Sequence, residues 1–385
     1  MLFGVELAAR GHHIDYILQS EAACARRTVQ EWSGGHVWVG ATDLGTSRLA
    51  RLHKHLLGIG NDLRLFGRLW RGQYDLLLVK DKFIAGALGL IAARLSGKRY
   101  VYWLSYPFAE ESLLKAREGT ARYPVFYRVR GWVFHALLYR WLLPAADHVF
   151  VQSERMLTDV AAKGISAQKM TAVPMGIQPE RFQMQASAGA RQWLPAGVPC
   201  VLYLGTLNKV RHLDFLVRVL ARVREQVPAA MLCIVGGGDD PSEERLLTDE
   251  ADRLGVREAL LMLGQLPHER ALQAVQEADV CVSPFYPNPI LDSTSPTKLV
   301  EYLALGRPVV ANDHPEQRLV IGASGGGYCV PWDEQAFADA IVALLRDPAS
   351  AARMGRQGRE YVLEHRVYAR IADAVEAQLR AIAAR

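Results

Sequence analysis

"SPTKLVEYLALGRPVVA", residues 295–311, is the stretch on which the fold assignment turns. A Ser/Thr/Pro turn opens a short helical pattern, Gly306 closes it, and a Pro-led apolar run follows. That is the pattern of a helix feeding a buried strand. Ser295 is expected as the N-cap and Pro296 as the first helical residue. The amides of Thr297, Lys298 and Leu299 then lack partners at the positive end of the helix dipole, an arrangement that accepts phosphate. At about 100° per residue, Leu299, Val300, Leu303 and Ala304 share one face and Thr297, Lys298 and Glu301 the other. Glu301, one turn deeper, is an acceptor-only group suited to a diol such as that of a nucleotide ribose. An exposed i,i+3 ion pair would place Lys298 and Glu301 in the same way, so spacing leaves both readings open.

Outward from this stretch, short apolar runs alternate with helix-length segments. "HIDYIL" (13–18), "YDLLLV" (74–79), "RYVYWL" (99–104) and "HVFVQ" (148–152) form one series. "CVLYLG" (200–205), "AMLCIVGGG" (230–238), "ALLMLG" (259–264), "DVCVSPF" (279–285) and "PVVAN" (308–312) form a second. Apolar runs separated by helices are parallel strands buried on both faces. The pattern predicts an α/β chain of two Rossmann-like, doubly wound domains with a ligand cleft between them. Residues 1–180 are expected to form the first domain and 199–360 the second, joined by a polar, Ala/Gly/Pro-rich linker at 181–198. The helix at 361–385 is expected to pack back on the first domain.

The bulk properties agree with two globular domains in 385 residues, half of them hydrophobic and 22% charged. The net charge of +5 suits an anionic ligand or an acidic membrane surface and is too diffuse for nucleic acid. Cys24, Cys200, Cys233, Cys281 and Cys329 are scattered and odd in number, which reads as a reducing cytoplasm. The opening residues lack the basic region and cleavage site of a leader peptide. The longest uncharged apolar run, "FIAGALGLIAA" (83–93), is about half a membrane span.

Several chemistries common on such folds are missing their motifs. "VGGGDDP" (235–241) has Pro241 where a dinucleotide fingerprint needs its third glycine, and "ARLSGKR" fails the P-loop pattern at both ends. No cluster with metal-ligand spacing is visible, and His12–His13 reads as the polar entry to a strand. A second element supports the helix-start site. In "YLGTLNKVRHLDFLVRVLARV" (203–223), Lys209 and Arg211 lie in a loop that begins at Gly205, at the carboxyl end of the second domain's first strand. Ligands of α/β sheets bind at such ends, and two cations there could neutralise a diphosphate, although a solvated loop would look the same. The glycines of "VGGGDD", Gly237 among them, would let backbone approach a ligand or merely form a turn.

Taken in order, these elements resemble glycosyltransferase family 4, the retaining, nucleotide-sugar-dependent enzymes of GT-B fold. The resemblance runs through "LLPAADHVFVQSERMLTDVAAKGISAQKMTAVPMGIQPERF" (142–182), "VLYLGTLNKVRHLDFL", "LCIVGGGDD", "LLMLGQLPHERALQAVQEADVCVSP" and "SPTKLVEYLALGRPVVA". It implies transfer of a sugar from a UDP- or GDP-linked donor held mainly by the second domain, without a metal. Glu301 matches the family's ribose-binding Glu and Arg211 its diphosphate-binding Lys; with Lys209 they would stabilise the leaving diphosphate. Gly205, Thr206, Gly237, Leu266, Ser293, Ser295, Thr297 and Lys298 complete the implied donor site, with Leu266 flanking the base. Thr206 stands where the family has Arg, and Ser293 where it has its first motif Glu. The chain opens at what resembles the family's first helix, so the preceding strand is expected to be missing. Ser105 and Tyr106 stand where a His is frequent.

The implied acceptor is a glycan or a polyprenyl-diphosphate-linked glycan, in cell-surface polysaccharide or glycoconjugate biosynthesis. Ser105, Tyr106 and Lys80, at strand ends of the first domain, are candidate acceptor contacts. "YPVFYRVRGWVFHALLYRWLLPAA" (123–146) combines aromatics with Arg128, Arg130 and Arg140. It reads either as a core helix with snorkelling arginines or as a peripheral contact with the inner membrane leaflet. Two other functions share the scaffold: a nucleotide-sugar 2-epimerase, and an inactive nucleotide-binding homologue.

Overall fold

The computed structural model describes residues 2–384 apart from 21–25, 44, 46, 73, 120, 122, 184–190 and 239. The chain divides into two compact units, Met1–Pro174 with Tyr368–Arg385, and Met175–Val367.

The first unit carries β1 (Tyr16–Gln19), β2 (Thr28–Trp32), β3 (Gly35–Gly40), β4 (Leu76–Lys80), β5 (Arg99–Leu104), β6 (His148–Val151) and β7 (Met170–Ala172). They form a β1-β3-β2 sheet and a parallel β4-β5-β6-β7 sheet. β2 and β3 pair antiparallel through a two-residue turn in which Ser33 and Gly34 both have positive φ, the turn that matches strand twist. The run-by-run reading missed this hairpin, although "SGG" between alternating residues is its signal. Helix Tyr368–Ala383 buries Ile371, Ala372, Val375 and Ile382 with Leu2, Leu7, Val101 and Phe150. Arg10 ties it down through Asp373 and Glu376, each at 2.8 Å. The preceding helix, Pro348–His365, belongs to the other unit, so the expected boundary at 361 moves to the Val367–Tyr368 junction.

The second unit is one six-stranded parallel sheet: β8 (Cys200–Leu204), β9 (Met231–Val235), β10 (Leu260–Gly264), β11 (Val280–Ser283), β12 (Val309–Asn312) and β13 (Gly327–Val330). The spatial order is β10-β9-β8-β11-β12-β13. The winding therefore reverses between β8 and β11, and the crevice at the carboxyl ends of those two strands is where such sheets bind ligands. The second half of the expected linker is part of this unit. Glu277 accepts the amides of Gln192, Trp193 and Leu194 at 2.8–3.0 Å, and Arg191 pairs with Asp279 at 2.7 Å. Residues 184–190 of that span lie outside the described residues, as does Cys24. Cys200, Cys233 and Cys281 are free and buried, and burial pushes the Cys200 thiol up to about 11 and Cys233 up to about 12.

Helix Pro124–Leu137 departs from the core-helix reading. It meets helix Phe108–Arg117 at Gly131, where a Cβ would stand 2.8 Å from Leu113, and Phe134 stacks on Phe83. That narrow strip leaves Val125, Phe126, Val129 and Val133 exposed, with Trp132 65% and nearby Trp141 69% accessible. Arg128 and Arg140 are exposed beside them. Among the described residues, no helix is long and apolar enough to cross a membrane.

Candidate functional site

The helix that begins the site spans Thr297–Ala304. Its N-cap is Pro296, the residue expected as the first helical one, and no side chain caps it, so its first amides are open. The expected capping residue does something else: Ser295 Oγ accepts the amide of Met175 at 2.9 Å. Leu299, Val300, Tyr302, Leu303 and Ala304 are all buried. Tyr302, which the sequence reading passed over, fixes the helix to the strand before the loop. Its hydroxyl accepts the Leu204 amide at 2.7 Å and donates to the Leu204 carbonyl at 3.3 Å. A polar tip on an otherwise buried ring at i+1 from Glu301 was the available signal.

Tyr302 thereby seats the helix that carries Lys298 and Glu301 against the carboxyl end of β8. Both are half-buried, and among the described residues neither side chain has a hydrogen-bond or ion-pair partner. The exposed ion-pair reading fails on this point. Burial lowers the Lys298 ammonium below its usual range, Arg211 adds to that, and Glu301 opposes it. Burial raises the Glu301 carboxyl, against the pull of Lys298 and His268. Two charged groups are held part-dry with no partner, an arrangement more often found where a ligand completes the set than where packing alone is at stake.

The loop after β8 supplies the other face. Gly205 donates its amide to Val235 at 2.8 Å, and a Cβ there would stand 2.7 Å from Lys298 Cε. Gly236, at φ +137°, lies so close that a Cβ would stand 1.9 Å from the Gly205 carbonyl oxygen. The glycines thus let the ends of β8 and β9 touch, and only glycine fits. Lys209 and Arg211 form a short 3-10 turn, with Asn208 accepting the Val210 amide and His212 in left-handed conformation. Arg211 is half-buried beside the Tyr203 hydroxyl and within electrostatic reach of Lys298, whereas Lys209 is exposed and faces Asp240. Thr206 is exposed at the loop's start and Leu266 is half-buried after β10. Gly237 accepts the Leu207 amide at 3.1 Å. Ser293 is buried, its hydroxyl on the Pro289 carbonyl at 3.1 Å. The fold therefore gathers Gly205, Arg211, Lys298 and Glu301, and turns the hydroxyls of Ser293 and Ser295 onto backbone groups.

In the first unit, Ser105 donates both its amide and its hydroxyl to Asp81. Asp81 has positive φ and its carboxyl is raised by burial, against those bonds. This residue, at the carboxyl end of β4, clamps β4 to β5. Lys80 is exposed over the Trp103 ring at 4.7 Å, and Tyr106 stacks tilted on Phe108. One metal-type grouping escaped the sequence reading: ligand atoms of His13, Asp15 and His36 lie within 4.8 Å of one another. Asp15 there already accepts the Tyr74 hydroxyl and the His36 amide, which makes it a tie between β1 and β3.

The structure resembles sucrose-phosphate synthase from Thermosynechococcus elongatus, with a TM-score of 0.78 and 22% identity over 99% of this chain and 92% of that one. It also resembles Anabaena HepE in complex with UDP, with a TM-score of 0.67 and 17% identity over 90% and 86%. The fold is that of the GT-B glycosyltransferases.

Residues 3–176 match the glycosyl transferase 4-like domain and residues 190–361 the glycosyl transferases group 1, and together these place the chain in glycosyltransferase family 4. Among curated relatives, glycogen synthase of Mycobacterium tuberculosis is 28% identical over 60% of this chain and 55% of its own length. The phosphatidyl-myo-inositol mannosyltransferase of Mycobacterium leprae is 31% identical over 60% and 58%. The match thus spans about half the length of these relatives.

Proposed function

We propose that the protein transfers a sugar, with retention, from a UDP- or GDP-linked donor to a glycan or lipid-linked glycan in cell-surface polysaccharide or glycoconjugate synthesis. The observation that carries this reading is the unpartnered Lys298–Glu301 pair on an uncapped helix, with Lys298 lying against Gly205. Glu301 takes the ribose hydroxyls as an acceptor. Lys298, Arg211, Lys209 and the amides of Thr297 and Lys298 receive the diphosphate, whose charge grows as the sugar–phosphate bond breaks. Donors fixed in advance at that charge stabilise the transition state without reorganising. The set supplies this from the protein alone, so no metal enters the reading. Retention follows from the family resemblance.

Isothermal titration of a panel of UDP- and GDP-sugars tests the donor site. Micromolar binding of one nucleotide, lost in Glu301→Ala, is expected; equal binding by the variant would sink the assignment. The exposed aromatic helix adds a location, the cytoplasmic membrane face. Trp132 and Trp141 enter the headgroup region while Arg128 and Arg140 meet anionic lipid. An acceptor carried on a lipid would be met there.

A further inference from the structure

A cavity of about 560 Å3 in the first unit is lined by none of the residues placed in the donor site. It is lined by Val29 and Trp38 of the hairpin, by Tyr74, and by Arg64, Arg68 and Arg71 of helix Arg64–Arg71. The spacing i, i+4, i+7 puts all three guanidinium groups on one helix face. Among the described residues, no carboxylate forms an ion pair with any of them. Arg68 lies over the Trp38 ring at 3.9 Å, and the Arg64 Nη1 is buried without a hydrogen-bond partner. Burial and the like charges of Arg27 and Arg68 depress the Arg64 guanidinium below its usual range.

Three arginines would not ordinarily face a cavity with an unsatisfied buried N–H and no acid to meet them, because leaving a buried donor unpaired costs roughly 1–3 kcal/mol. We infer that this cavity is an anion site for a phosphate or diphosphate ester. The arginine forks would grip the phosphate oxygens, and Val29, Trp38 and Leu63 would receive the ester's apolar part. Arginine suits this task because its planar fork matches phosphate geometry and stacks on aromatic rings. The same chemistry is offered by a soluble phosphate ester and by a lipid headgroup.

Two probes separate those sources: inorganic pyrophosphate, and monomeric dihexanoyl phosphatidic acid below its micelle concentration. Each is titrated calorimetrically into the full chain, into Arg64→Gln, into the more exposed Arg71→Gln, and into Lys298→Met as a donor-site control. Saturable binding that falls about tenfold or more in both arginine variants, and persists in Lys298→Met, is expected. Tighter binding of the lipid phosphate assigns a headgroup, and equal or tighter binding of pyrophosphate assigns a soluble ester. Binding lost only in Lys298→Met, binding unchanged in the arginine variants, or no saturable binding of either probe would overturn the assignment. Circular dichroism of Arg71→Gln, whose side chain is exposed, guards against reading misfolding as lost binding.

Discussion

The Lys298 side chain lies directly over Gly205: a methyl group at residue 205 would stand 2.7 Å from Lys298 Cε and 2.6 Å from the Tyr203 hydroxyl. Lys298 can swing aside, but Tyr203 is buried and cannot. Gly205→Ala should therefore destabilise the protein by about 1–3 kcal/mol, as overpacking does. It should also weaken nucleotide binding about tenfold or more, because the ammonium is displaced. Denaturant melts and titration report the two effects separately. A stable variant with undiminished binding would show that Lys298 does not need this seat.

Glu301 bears the opposite relation between stability and binding. Its charge is half-buried and unpaired, with its carboxyl raised by burial. Glu301→Gln keeps the shape and removes the charge, so it should leave stability unchanged or raise it by up to about 1 kcal/mol. Nucleotide affinity should fall by about 1.5–3 kcal/mol, the loss typical of a charged hydrogen-bond acceptor. A destabilised variant that still binds would make Glu301 a structural residue.

The terminal helix predicts an acid limb in the stability profile. Arg10, His12 and Arg380 hold the Glu376 carboxyl down from its ordinary 4.5 to about 2. A carboxyl depressed in the folded state contributes stability above its unfolded pKa, and that contribution disappears as pH falls from about 4.5 towards 2. Glu376→Gln should lower Tm at pH 7 and approach the wild type near pH 2. Parallel melting curves across that range would contradict the linkage.

Trp132 and Trp141 are exposed enough that replacing both with Ser should change stability by no more than about 0.5 kcal/mol. Co-sedimentation with vesicles containing phosphatidylglycerol should drop severalfold, and high salt should weaken what remains. Unchanged sedimentation would remove the membrane assignment while leaving the donor site untouched.

Sequence alone determined which segments are strands and which are helices along most of the second unit, because apolar period and glycine or proline punctuation are local properties. It also determined the face of the helix at 297–304, since side-chain direction follows from helical geometry. Ser295 shows the limit. Its type suits a cap, but its hydroxyl serves the distant Met175 amide. The aromatic helix shows the same limit, because its pattern fits a core or a surface and only packing at Gly131 decided between them. Tertiary structure alone decided that Lys298 and Glu301 stand unpaired, that Tyr302 anchors them to Leu204, and that three arginines share a cavity with Trp38. Each of these depends on which distant groups arrive, or fail to arrive, within hydrogen-bonding reach. Burial and pairing set the energy of a charge, and both are properties of the folded chain.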